Sequence, residues 1–329
     1  MRSNPSRGNG RSQRGVALVL VLWLTVMLTV IGGTLAYSMR SEALAARNAV
    51  SLAQARAIAD GAVDRATFEL LRPRTREAWK ADGRVHEWAD AGAQVAVVAV
   101  DENARIDLNG ASEVLLRSLF VRQGGLDEAA AAALVDAMAD WRDEDELRRP
   151  NGAEAADYRA ANSKYVPSNR RFETVGEVSR VLGMTPAVYA RIAGLVTVLT
   201  NQQGINPHTA SREVLLALPN ATPEAVDEFL RQRADALAAN LPVPPFPAAQ
   251  GFATGASPTW RIRAEVRSAD GVTFVREAVV RATPDPRRPY IALLWGEADR
   301  AAPAAATADP DAASAAKPDS GAPTDARRS

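Results

Sequence analysis

The sequence of 329 residues has no cysteine and only two histidines, His86 and His208. Without cysteine there is no disulfide framework, no thiolate metal site and no thiol nucleophile. His86 stands beside Glu87 in what reads as a loop, and His208 lies in a helix-capping turn. Neither belongs to a nucleophile-base-acid arrangement, and acid-base catalysis draws on histidine more than on any other side chain. The chain therefore reads as a non-enzymatic protein with no small-molecule substrate. Net charge is also missing: Lys+Arg and Asp+Glu are both 39, so the whole molecule has no bias toward nucleic acid or anionic lipid. Lysine is scarce, present only at Lys80, Lys164 and Lys317. The arginine and alanine excess reads as genome composition.

Charge is absent altogether from Val16 to Met39. A helix reaches about 30 Å in roughly 20 residues, enough to cross a bilayer. A removed signal peptide usually has a shorter apolar region and a small-x-small cleavage site, for which Thr34-Leu35-Ala36 is a weak candidate. A buried core helix is the third reading. The flanks favour an anchor: Arg2, Arg7, Arg11 and Arg14 precede the run, and no acid occurs before Glu42. Positive charge stays on the cytoplasmic side, so the amino-terminal arm is expected in the cytoplasm and the remainder beyond the inner membrane. Helical spacing continues past the run through Leu44, Leu52, Ala55, Ala59, Ala62, Ala66 and Leu70, until Pro73 ends it.

Beyond Pro73 a polar loop leads to the apolar run Gln94 to Val100, a buried strand by composition. Trp260 to Val266 and Val272 to Val280, separated by Ala269-Asp270-Gly271, read as an antiparallel hairpin. Trp79 and Trp88 read as cover for apolar surface. Strand material split by a long helical stretch predicts an α+β fold: a small antiparallel sheet interrupted by an all-α insertion. The expected parts are a leader over 1–15, a membrane helix over 16–39 and an amphipathic helix over 40–72. A pilin-like α+β domain follows over 73–104 and 241–297, with the inserted helical domain over 105–240. The connector Leu241 to Pro247 is too rich in proline for helix. Residues 298–329 are poor in large apolar side chains and are expected to be a disordered tail.

Inside the insertion, Ile106 to Leu116 has an echo in Ile205 to Leu216, with one residue added. Each opens on a polar turn able to cap a helix and then places an acid in the first turn. The second continues through Leu218-Pro219-Asn220-Ala221-Thr222-Pro223 as a helix-hairpin-helix outline. Such hairpins bind DNA through glycine-rich backbone amides, but this one lacks the glycines and is followed by Glu224, Asp227 and Glu228, so no nucleic acid is expected.

Arg14-Gly15 ahead of Val16, with an amphipathic continuation, resembles the type IV prepilin and pseudopilin leader. The resemblance implies cleavage by a prepilin peptidase between Gly15 and Val16 and methylation of the new amino terminus. The fifth residue after the cut is ordinarily glutamate in that family, and here it is Leu20. That departure, with the two modules, resembles the minor pseudopilin K family of the type II secretion system, over roughly residues 8–296. The resemblance implies a subunit at the pseudopilus tip that nucleates assembly with I- and J-type minor pseudopilins and supports export across the outer membrane. Leu20, Gly32, Gly33 and Ala36 would then serve helix-to-helix assembly, small residues permitting close approach. It also implies calcium. Asp143, Asp145 and Glu154 fall at positions one, three and twelve of a calcium loop, but Leu147 and Arg148 occupy positions five and six, so the EF-hand pattern is not met. The calcium role is carried to Asp140, Asp143, Asp145 and Glu154 on the resemblance; the other reading is an acidic loop paired with Arg148 and Arg149. The alternative function is a DNA-binding pseudopilin of a DNA-uptake machine, which would need a basic patch.

Overall fold

The computed structural model describes residues 13–72, 78–239 and 241–298, with side chains from Leu18 onward. The leader segment before Gln13 and the expected tail from residue 299 lie outside the described residues. One helix, α1 (Gln13–Leu71), runs 59 residues, about 90 Å at 1.5 Å per residue. Its first part is long and apolar enough to cross a membrane, with a stretch of mean hydropathy 2.3 of which the protein buries none. Its last turns bear a stripe of buried small residues, Ala55, Ala59, Ala62, Val63 and Ala66, at the spacing of one helical face.

That stripe rests on a five-stranded antiparallel sheet of order β1-β2-β5-β6-β7. Strands β1 (Asp82–Asp90) and β2 (Ala93–Asp101) form the first hairpin. A pair of short parallel strands, β3 (Ile106–Asp107) and β4 (Val196–Thr197), lies inside the insertion with α2 (Glu113–Arg122), α3 (Glu128–Arg142), α4 (Ala155–Ala160) and α5 (Pro186–Ile192). Next come α6 (Arg212–Leu216) and α7 (Pro223–Ala238), and then β5 (Thr259–Ser268), β6 (Thr273–Ala282) and β7 (Tyr290–Glu297) close the sheet. Strand β5 pairs with β2 from Ala93↔Ser268 to Asp101↔Trp260, so the whole insertion leaves and returns at one end of two neighbouring central strands. The alternation of Val95, Val97 and Ala99 with Ile262, Ala264 and Val266 forms the face beneath α1.

Polar pairs fix the helix on the sheet. Asp60 accepts from Arg276 at 2.6 Å, Asp64 accepts from the Tyr290 hydroxyl at 2.9 Å, and Arg65 lies 4.4 Å from the Trp88 ring centre. Trp79 and Trp88 pack on the same apolar cluster, as the sequence suggests. His86 does not lie in a loop: it is on β1, stacked 3.6 Å from Trp79. A two-residue turn with positive φ at Ala91 and Gly92 makes the β1-β2 connection.

The insertion has its own core around Phe120, Leu134, Met138, Trp141, Tyr158 and Ile192. Tyr158 is fully buried, its oxygen accepts from the Leu182 amide at 2.8 Å, and burial pushes its pKa up to about 12. The sequence echo has structural counterparts. Ser112 accepts from the Leu115 amide and Ser211 from the Val214 amide, each capping the helix that follows. Ile106 pairs with Val196, and Ile205 bridges Ala253 in the same parallel sense. Residues 246–252, which the sequence pattern puts with the sheet, join this helical core instead: Phe246 and Ala249 are buried in it, and Phe246 stacks on Phe229 at 4.7 Å. The prolines around them forbid helix but leave the apolar side chains free to pack.

Candidate functional site

Three features can carry function: the bare half of α1, the acidic loop after α3 and the hairpins of the insertion. Along α1, Leu18, Leu20, Trp23 and every large apolar residue up to Val50 are exposed. Leu20 is 65% exposed. Gly32 and Gly33 have open space where a side chain would stand, and Ala36 is exposed beside them. Gly15 and Val16 fall within the helix backbone.

The acidic loop begins where α3 ends. Asp140 is sealed from water, and its two oxygens accept from the Arg149 amide at 3.3 Å. The loop can approach this closely because residue 152 is glycine: a Cβ there would lie 2.0 Å from Asp140 Oδ2. Glu154 starts α4 through a reciprocal capping box with Asp157. Its Oε1 and the Oδ1 of Asp143 are buried with no hydrogen-bond partner. Asp145 is exposed and accepts from the Leu147 amide at 2.8 Å.

Burial, and then the charges of their neighbours, raise the carboxyl pKa values of Asp140, Asp143 and Glu154. Asp140, Asp143, Glu146 and Asp145 all act on Glu154, so the loop concentrates negative charge. The arginines do not cancel it. Arg148 pairs with Asp157 at 3.2 Å, and Arg149 pairs with Glu113 at 2.6 Å while standing 3.9 Å from Asp136 and Asp140. Among the described residues, Asp143, Asp145 and Glu154 have no ion-pair partner within 4.0 Å. Nor do three acids or histidines of the described residues already stand in ligating geometry around one point. The two orphaned oxygens are of the type a hard cation takes, but the four acids would have to rearrange to surround one, the exposed Asp145 turning inward. Sequence reasoning passed over Asp136, which sits one helical turn before Asp140 and ties the loop down by accepting from the backbone and side chain of Asn151.

In the insertion, α2 and α3 pack as a pair joined through Gly124-Gly125, and α6 and α7 form the second pair. The sequence pattern drew attention only to the second turn. The first has glycines, with positive φ at Gly125, but the space beside Gly125 is filled by the Arg191 guanidinium, which donates to Gly124 O at 3.0 Å. The second turn is held from behind by Arg122, which donates to Ala221 O at 2.7 Å and Pro219 O at 2.8 Å.

Comparison with known proteins agrees with this geometry. Residues 95–201, from β2 to the end of the first module, match the family described as type II secretion system (T2SS), protein K. The type II secretion system protein K of Pseudomonas aeruginosa is 27% identical, over 68% of this chain and 73% of the relative. The Klebsiella pneumoniae protein of the same name is 27% identical, over 62% of this chain and 69% of the relative. The fold resembles a chain in the crystal structure of the GspK-GspI-GspJ complex from enterotoxigenic Escherichia coli, with a TM-score of 0.56 at 17% identity, covering 77% of this chain and 99% of that one. Over residues 95–201 the chain is thus similar in sequence to the type II secretion system protein K family, and its fold resembles that of a chain in the GspK-GspI-GspJ complex.

Proposed function

We propose that this protein is the minor pseudopilin at the tip of a type II secretion pseudopilus, where it nucleates assembly with I- and J-type minor pseudopilins and so supports export across the outer membrane. The observation that carries this reading is the contrast along α1, docked on its own sheet from Ala55 onward and bare before that. A helix that exposes so much apolar surface needs lipid or other helices around it. A prepilin peptidase would cut between Gly15 and Val16, and the inner membrane would hold the mature helix with its amino terminus in the cytoplasm. Leu20 suits the tip: a carboxylate at that place serves to neutralise a neighbour's amino terminus, and a subunit with no neighbour on that side has nothing for it to neutralise. The insertion, attached at one end of two central strands, adds bulk that a filament shaft would not accommodate.

The acidic loop would hold calcium through Asp140, Asp143, Asp145 and Glu154. The ion would supply the positive charge that the arginines leave wanting. The DNA-uptake reading gains nothing from the hairpins, since arginine fills the space beside Gly125 and carbonyl-bound Arg122 backs the other turn. The assembly reading is tested by co-purifying the full chain from membranes with I- and J-type subunits, and by mass spectrometry of its mature amino terminus. Mature chains beginning at Val16 that co-purify with both subunits are expected. Chains beginning at Met1, or found only alone, overturn it.

A further inference from the structure

Against the acidic loop, with which it shares Asp143 and Arg149, lies a pocket of about 220 Å³ that also has Asn109, Arg142 and Arg171 in its wall. Its three guanidinium groups are not alike. Arg149 is already satisfied by Glu113 at 2.6 Å. Arg171 is exposed and bonds only the neutral Asn201 Oδ1, at 2.9 Å. Arg142 is half-buried and donates to Leu108 O, again a neutral acceptor. Among the described residues neither Arg142 nor Arg171 has a carboxylate within 4.0 Å, and Asp143, the one acid in the wall, bonds neither of them.

The wall is stiff. Asn109 and Phe172 exchange two hydrogen bonds of 2.9 Å, which fixes the strand of chain bearing Arg171 against the turn after β3. Phe172 also stacks on Trp141, the residue before Arg142, at 6.4 Å. Two cations are thus held at one small opening without a direct ion pair among the described residues, Glu113, Asp107 and Asp143 acting on Arg142 only from beyond 4.0 Å. A planar guanidinium fork matches the paired oxygens of a carboxylate or phosphate, and it does so more strongly where water is partly excluded.

We propose that this pocket binds a small oxyanion, a phosphate or carboxylate group, between Arg142 and Arg171. A polyanion does not fit the surroundings, because Glu113, Asp136 and Asp140 crowd the Arg149 side of the opening. The site does not depend on the secretion role, and chelation keeps it separate from calcium.

The test is thermal unfolding of the full chain in detergent with EDTA, titrated with inorganic phosphate or with acetate at constant ionic strength set by chloride. A saturable rise in Tm is expected with at least one of them. Arg171→Gln, at an exposed position, should weaken the apparent affinity about tenfold, the loss of one charge-assisted pair. Arg142→Gln should do so more severely, while Arg159→Gln, outside the pocket, should titrate like the parent. Stronger binding of phosphate would point to a free or ester-linked phosphate, and stronger binding of acetate to a carboxylate such as a protein side chain. The proposal fails if neither anion exceeds chloride, or if Arg171→Gln binds as the parent does.

Discussion

At the scale of single residues, arginine acts chiefly through geometry. Arg122 gathers the carbonyls of the α6-α7 turn, Arg191 takes Gly124 O, Arg233 takes Pro207 O and Ala210 O, and Arg105 takes Gly194 O. Arg233 does so while buried, with its pKa lowered to about 10 by desolvation. A lysine ammonium has no planar fork with which to hold several carbonyls at set angles. The arginine excess, which composition alone reads as genomic bias, therefore has structural work in the loops. That use could not be read from the sequence because the acceptors are backbone atoms up to 99 residues away. The junction between sheet and insertion depends on Glu102, wholly buried, which accepts from Arg261 and from Thr197 at 2.7 Å and pairs with Arg105. Burial pushes its pKa up, but Arg261 and Arg105 outweigh that and hold it below the ordinary range. Glu102→Gln leaves Arg261 without its buried counter-charge and should cost roughly 3–5 kcal/mol, measured as a fall in the denaturant midpoint at neutral pH. A loss well under 1 kcal/mol would mean that Glu277 and water suffice for Arg261.

At the scale of elements, periodicity found what was self-contained. The long helix, β2 and the β5-β6 hairpin are visible because their apolar residues repeat at helical or alternating spacing. The edge strands β1 and β7 escaped: Asp82–Asp90 carries four charged side chains among nine residues, and an edge strand is stabilised by its neighbour's backbone more than by its own composition. For α1 two opposite outcomes follow from the two halves. Ala59 is fully buried on the sheet, so Ala59→Leu should overpack that contact and cost about 1–3 kcal/mol. Gly32→Leu meets open space and should leave the unfolding transition of the soluble part unchanged, yet lower recovery of partner subunits in co-purification. A third substitution separates propensity from packing. Gly61 lies in the helix, exposed, with nothing within 4 Å of an added Cβ, so Gly61→Ala should stabilise the protein by about 0.5–1 kcal/mol in chemical denaturation. A loss instead would show that a neighbouring helix needs the gap.

At the scale of the whole molecule, the acidic loop and the sheet junction respond to pH in opposite directions and in different windows. Asp140, Asp143 and Glu154 have raised folded pKa values, so the folded state keeps protons that the unfolded chain has already released. Their contribution to stability is therefore lost as pH rises from the ordinary carboxylate range through the raised values. Glu102, with its depressed pKa, acts only below that range, where acid removes its contribution. In EDTA the protein should thus be more stable in mildly acidic solution than at neutral pH. A bound cation replaces the protons: at a calcium concentration of about 100 Kd the gain at neutral pH should be about 2.7 kcal/mol, and the mildly acidic advantage should shrink as protons and metal compete. Asp143→Asn gives the sharper check because its two effects differ in sign. Removing one of the repelling charges should raise stability at neutral pH in EDTA, while removing an orphaned oxygen anion should reduce the calcium-dependent gain. Thermal unfolding of the full chain at two pH values, with calcium and with EDTA, measures all of these. Curves that coincide with and without calcium, in parent and variant alike, would leave the loop a merely acidic surface and rule out the proposed metal.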